Sequence, residues 1–124
     1  MYRSLPGVGY DAAVVRVEAA LQQEGFGILT RIDVRETLKK KIDVDFRPYV
    51  ILGACNPPLA YRALSAEDMI GLMLPCNVVV AETSSGSEIA IARPSVMMTV
   101  ADAEGLEAVA EEAQSRLERA LANV

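Results

Sequence analysis

Hydrophobic positions in residues 11–24 recur at helical spacing. Val14, Val17 and Leu21 fall on one stripe, with Ala13 and Ala20 beside them. Asp11 reads as the N-cap. Gly25 followed by Phe26 reads as a stop in which glycine takes the left-handed position and the next apolar residue packs back. The period then falls to two. Phe26, Ile28, Thr30, Ile32 and Val34 share one parity, which predicts a strand over 26–32 with Arg31 and Asp33 turned outward. Asp33 and Glu36 have capping-box spacing and open a short helix to about Lys41, with Glu36 and Lys40 one turn apart. Residues 49–55 are β-branched and apolar, a second strand entered at Pro48 and ended by Asn56-Pro57-Pro58.

Leu59, Ala60, Ala63 and Leu64 then keep helical spacing for one or two turns, and Ser65 with Asp68 reads as the cap of another. Residues 76–82 and 88–93 form a hairpin around the Ser/Gly-rich stretch 83–87, and Pro94 ends it. The last stripe is the longest: Leu106, Val109, Ala110, Ala113, Leu117, Ala120 and Leu121, capped by Thr99 or Asp102, with Glu112 able to pair with Arg116. A short strand over 1–5 completes the set. Hairpin-linked strands beside two amphipathic helices predict an α+β fold: one domain over 1–124, an antiparallel sheet with the helices near 11–24 and 102–123 on one face. The runs 49–54 and 72–80 are apolar on both parities, as if both sheet faces were covered, and this predicts a homodimer.

Composition narrows the chemistry. The 124 residues include no His and no Trp, so Ser-His-Asp catalysis, Cys-His catalysis and His-ligated metal centres are excluded within one chain. The net charge of −5 disfavours nucleic acid and anionic membranes as partners. The charge is uneven, +2 over 1–62 and −7 over 63–124. Two cysteines make no disulfide framework, and the apolar stretch 69–81, broken by Gly71, Pro75 and Asn77, is too short to span a bilayer. A cytoplasmic protein with reduced thiols is the expectation.

The candidate site lies at those cysteines. Gly53-Ala54-Cys55-Asn56-Pro57-Pro58 and Leu74-Pro75-Cys76-Asn77 each put a Cys at a strand end, followed by Asn and close to Pro. Rigid edges of this kind present thiols and amides together, so Cys55, Asn56, Cys76 and Asn77 are the expected ligand-binding residues. The plain alternative is that both thiols are small core residues. Zinc lacks two further ligands, and no metal site is expected from the cysteines alone, although two thiols also suit a soft ion such as Cu(I). Met69, Met73, Met97 and Met98 flank the region, read first as core filling and second as a metal-binding cluster. Arg31, Arg35, Lys39, Lys40, Lys41 and Arg47 offer an anion site, against which the interspersed Asp33, Glu36, Asp43 and Asp45 argue for a mixed surface.

Glu24-Gly25-Phe26-Gly27, the run 40–49, the run 51–58 with its Cys-Asn-Pro-Pro, and Leu74-Pro75-Cys76-Asn77 with the valines after it resemble the domain-of-unknown-function family DUF302, over about residues 10–94. The resemblance implies a TATA-binding-protein-like shape, a curved antiparallel sheet with helices on its concave side, without implying DNA binding. It implies no established activity. Three functions stay open: a small binding module for a small-molecule or soft-metal ligand, a thiol-dependent redox protein or enzyme using Cys55 and Cys76, and a structural or interaction domain with inert thiols.

Overall fold

The computed structural model describes residues 1–124, except for the side chain of Val100. Five strands form one antiparallel sheet: β1 (Tyr2–Pro6), β2 (Gly27–Asp33), β3 (Tyr49–Cys55), β4 (Cys76–Thr83) and β5 (Gly86–Ile91), in the order β1-β5-β4-β3-β2. The central trio β3, β4 and β5 is contiguous, and β1 and β2 are the edges. Helix α1 (Tyr10–Gln23) carries the chain from one edge to the other and touches β2, β4 and β5 on the way. Helix α5 (Leu106–Ala122) packs on α1 and on α3 (Pro57–Ala66). The core between helices and sheet holds Leu5, Val50, Leu52, Ala54, Val78, Val80, Ile89 and Ile91 from the strands, with Val17, Leu21, Val109 and Leu117 from the helices. This is the α+β arrangement expected from the sequence, including the stripe 106–121, every member of which is buried.

The helix stop after α1 forms as its residues require. Gly25 adopts φ +84°. Its N–H donates to the Gln22 carbonyl at 3.0 Å, and that of Phe26 donates to Leu21 at 2.9 Å. These are the paired bonds of a Schellman stop, and Phe26 is buried behind it. Helix α2 (Val34–Ile42) starts where expected, with the Glu36 N–H donating to Asp33 Oδ1 at 2.9 Å, and Lys40 pairs with Glu36 at 3.6 Å.

Several boundaries differ, each for a local reason. The N-cap of α1 is Gly9, with no side-chain cap, and Asp11 lies in the first turn, where its charge favours the helix dipole. A bulge between Ile28 and Thr30 breaks the parity of β2: Ile28 sits opposite Ala54 on the core side, whereas Thr30 and Ile32 sit opposite Gly53 and Ile51 on the other side. Arg31 is thereby turned to the helix side, where it pairs with Glu18 of α1. The turn after α3 is capped by Glu67, which accepts from the Met69 N–H at 3.1 Å, in place of Ser65 with Asp68, and leads a 3₁₀ helix, Asp68–Met73. The hairpin is tighter than its composition suggests, with only Ser84 and Ser85 between β4 and β5. A short helix, α4 (Pro94–Met97), and a 3₁₀ turn, Met98–Val100, follow β5, and α5 is capped by Gly105 at φ +93° in place of Thr99 or Asp102.

Candidate functional site

β3 and β4 pair so that Cys76 faces Ala54 and Asn77 faces Gly53, and Cys55 lies one residue beyond Ala54. The Cα atoms of Cys55 and Cys76 are therefore roughly 6 Å apart by sheet geometry. The pleat then separates them. Cys76 shares the face of Val78 and Val80 and packs against the core, whereas Cys55 shares the parity of Gly53 and Ile51 on the opposite face. Both are free thiols. Their Cα spacing suits a disulfide, but side chains leaving opposite faces do not.

Asn56 is largely an architectural residue. It is the N-cap of α3: its Oδ1 accepts from the Leu59 N–H at 3.3 Å, and its Nδ2 donates to the Glu24 carbonyl at 3.4 Å. Only 7% of its surface is exposed. Pro57 and Pro58 take the first helical positions, where a missing N–H costs nothing. Gly25 stands against the amide; a Cβ there would come within 2.8 Å of Asn56 Nδ2. The Cys-Asn-Pro-Pro segment is thus a strand-to-helix joint locked to the stop of α1. Asn77 is exposed, on the face away from Cys76, and the two asparagines do not converge on one pocket.

Two adjoining cavities meet at Cys76. One is a narrow cleft of about 20 Å³ between sheet and helices, lined by Cys55, Asn56, Cys76, Phe26, Val109 and Ala113 among others. The second, about 130 Å³, opens outward and is bordered by Met73, Cys76, Asn77, Met97 and Met98. Leu74, Pro75, Cys76 and Met98 belong to both linings and form the shared wall. The Leu74–Pro75 peptide is cis, and Pro75 lies over Gly53, where a Cβ would come within 2.7 Å of its ring. Of the four methionines flanking the cysteines, three converge here; Met69 is exposed elsewhere. The sequence around the cysteines already marks Leu74, Pro75 and Met98; the helix-side residues of the cleft, Phe26, Val109 and Ala113, read there only as strand and helix core.

Burial pushes the Cys76 thiol above its ordinary value, and the neighbouring Cys55 adds to the rise. Among the described residues, no Lys, Arg, Asp or Glu lines either cavity. Nothing there would activate Cys76 as a nucleophile. The basic region of α2 is a mixed surface: Lys39 lies 2.9 Å from Asp43 and 3.3 Å from Asp45, and Arg35 shares its surroundings with Asp33 and Glu36. No group of three or more His, Cys, Asp or Glu residues suited to a metal occurs among the described residues. No helix among them is long and apolar enough to cross a membrane.

The family described as Domain of unknown function DUF302 matches residues 2–124. A crystal structure of an uncharacterized conserved DUF302 protein from Bacillus stearothermophilus is similar over 98% of this chain and 96% of that chain, with a TM-score of 0.87 and 31% identity. No curated protein matches the sequence.

Proposed function

As the chain belongs to the DUF302 family, we propose that it is a small binding module whose ligand sits in the pocket walled by Cys76 and Met98. The observation that supports this most is that one cysteine and three methionines, from β4, the 3₁₀ segments and α4, line one apolar opening of about 130 Å³. A space of that size suits a compact apolar or soft ligand, since an engineered apolar cavity of about 150 Å³ takes up benzene or xenon. Methionine adds adaptable, polarisable walls. A thiol-enzyme reading is weaker, because burial holds Cys76 protonated and no charged group lines the pocket among the described residues.

Benzene is the test probe. In a protein labelled at its methionine methyls, benzene should shift the signals of Met73, Met97 and Met98 saturably and leave those of Met1 and Met69 in place. Five unmoved signals would contradict the reading.

The same reading takes the chain as a homodimer through the sheet face opposite the helices. That face carries Tyr2, Ile32, Tyr49, Ile51, Val79 and Ala90. Its one acidic side chain near the centre, Glu88, is already paired with Arg47 at 3.1 Å. The acidic α5 lies on the far side of the sheet, so like charges stay apart in such a pair. Five strands about 4.8 Å apart and about 20 Å long give two faces a buried area on the order of 1,000 Å², the lower bound for a stable interface. Light scattering should give about twice the chain mass of 13.3 kDa. Ile32→Asp, at a half-exposed edge position, should halve it; a wild-type mass near that of one chain would refute the dimer.

A further inference from the structure

We propose that the Cys76 pocket is a site for a soft monovalent metal ion, Cu(I) or its redox-inert analogue Ag(I), held by the sulfur of Cys76 and by thioethers of Met73, Met97 and Met98. This rests on the reading of the pocket as a binding site and names its ligand class. The chain contains five methionines and two cysteines, and four of those seven residues line this one opening.

The donor set selects the ion. One thiolate with thioether sulfurs favours a soft monovalent cation, whereas zinc needs further thiolate or imidazole ligands and magnesium and calcium need oxygen donors. The chain has no His, and no carboxylate lines the opening among the described residues. Charge points the same way. One thiolate with one monovalent cation makes a neutral unit, which an apolar pocket accepts, while a divalent ion would leave a buried net charge of +1 without a partner. Binding is written as Cys76–SH plus M⁺ giving Cys76–S–M plus H⁺; a sulfur–metal bond replaces the S–H bond, one proton leaves to solvent, and no electron moves. The thioethers coordinate as neutral donors, so they add affinity without adding charge.

The elements are also suited to closing around an ion. Met98 is buried in the wall, whereas Met97 is partly exposed on the short helix α4 and Met73 ends a 3₁₀ segment. The methionines come from two short segments, Met73 from one and the adjacent Met97 and Met98 from the other, and these can adjust around an ion more easily than donors fixed on one long helix.

The test titrates Ag(I) into methyl-labelled reduced protein, then measures Cu(I) against a chromophoric chelator without oxygen. The expected result is a one-to-one endpoint with the Met73, Met97 and Met98 signals displaced together. Cys76→Ser should weaken Cu(I) at least 100-fold and Met98→Leu about tenfold. Met97→Leu, at the partly exposed position, supplies a variant whose fold is not at risk and should weaken Cu(I) severalfold. Unchanged Cu(I) affinity in both Cys76→Ser and Met97→Leu would overturn the assignment. Benzene displacing the three methyl signals while Ag(I) and Cu(I) leave them in place would overturn the metal inference and keep the pocket as a binding site. Silence to all three probes would overturn both.

Discussion

Gly53→Ala is expected to lower the unfolding free energy by about 2–3 kcal/mol, as overpacking in a close-packed interior does. Gly53 sits mid-strand in β3, between Thr30 on β2 and Asn77 on β4. A Cβ there would stand 2.1 Å from Thr30 Oγ1 and 2.7 Å from Pro75 Cγ. The threonine hydroxyl can rotate away; the proline ring cannot. Pro75 is part of the wall shared by the two cavities, so its displacement reaches Cys76 as well as the sheet. Urea denaturation with an unchanged m-value would report the loss. Thr30→Ala in the same chain should restore only part of it, because the contact with Pro75 persists. Full restoration would assign the whole cost to Thr30, and a loss below about 0.5 kcal/mol would show that the wall is soft.

Asn56→Ala is expected to cost about 2 kcal/mol. Loss of an N-cap costs about 0.5–2 kcal/mol, and a buried amide tie adds about 1 kcal/mol. Both bonds are on the longer side, at 3.3 and 3.4 Å, which keeps the sum modest. The loss should fall on α3 and on the stop of α1 together, since the one amide serves both. Hydrogen exchange should therefore quicken at the Leu59 N–H, which Asn56 caps, and at Gly25 and Phe26 in the stop it braces. Faster exchange at Leu59 alone would show that the two joints are independent.

This division of labour within Cys-Asn-Pro-Pro was only half legible in the sequence. The residue types announce a strand end and a rigid joint, and the structure has both. They do not say that the asparagine's amide is consumed by capping and by Glu24, because that partner is 32 positions away in the chain. Element types and the core stripes followed directly from hydrophobic period, since α1, β3 and α5 bury long regular faces. Strand β2 was less readable: one inserted residue at the bulge reverses which side chains face the helices, and period-two counting cannot see an insertion. The caps of α1 and α5 escaped because glycine serves at both, where the polar neighbours Asp11, Thr99 and Asp102 drew attention. That Cys55 and Cys76 meet at one sheet end was foreseeable from strand polarity. Their divergence onto opposite faces required the register.

The account turns on Cys76 being a half-buried wall of a ligand pocket. The rate at which methyl methanethiosulfonate modifies it in Cys55→Ser tests that most directly. The expected reaction is slow at neutral pH, because burial holds the thiol protonated, and it accelerates as the pH rises through and beyond the ordinary thiol range. Saturating benzene should slow it further, at least fivefold, by filling the space the reagent must enter. A fast reaction at neutral pH, indifferent to benzene, would contradict the account and return Cys76 to the class of exposed, activated thiols.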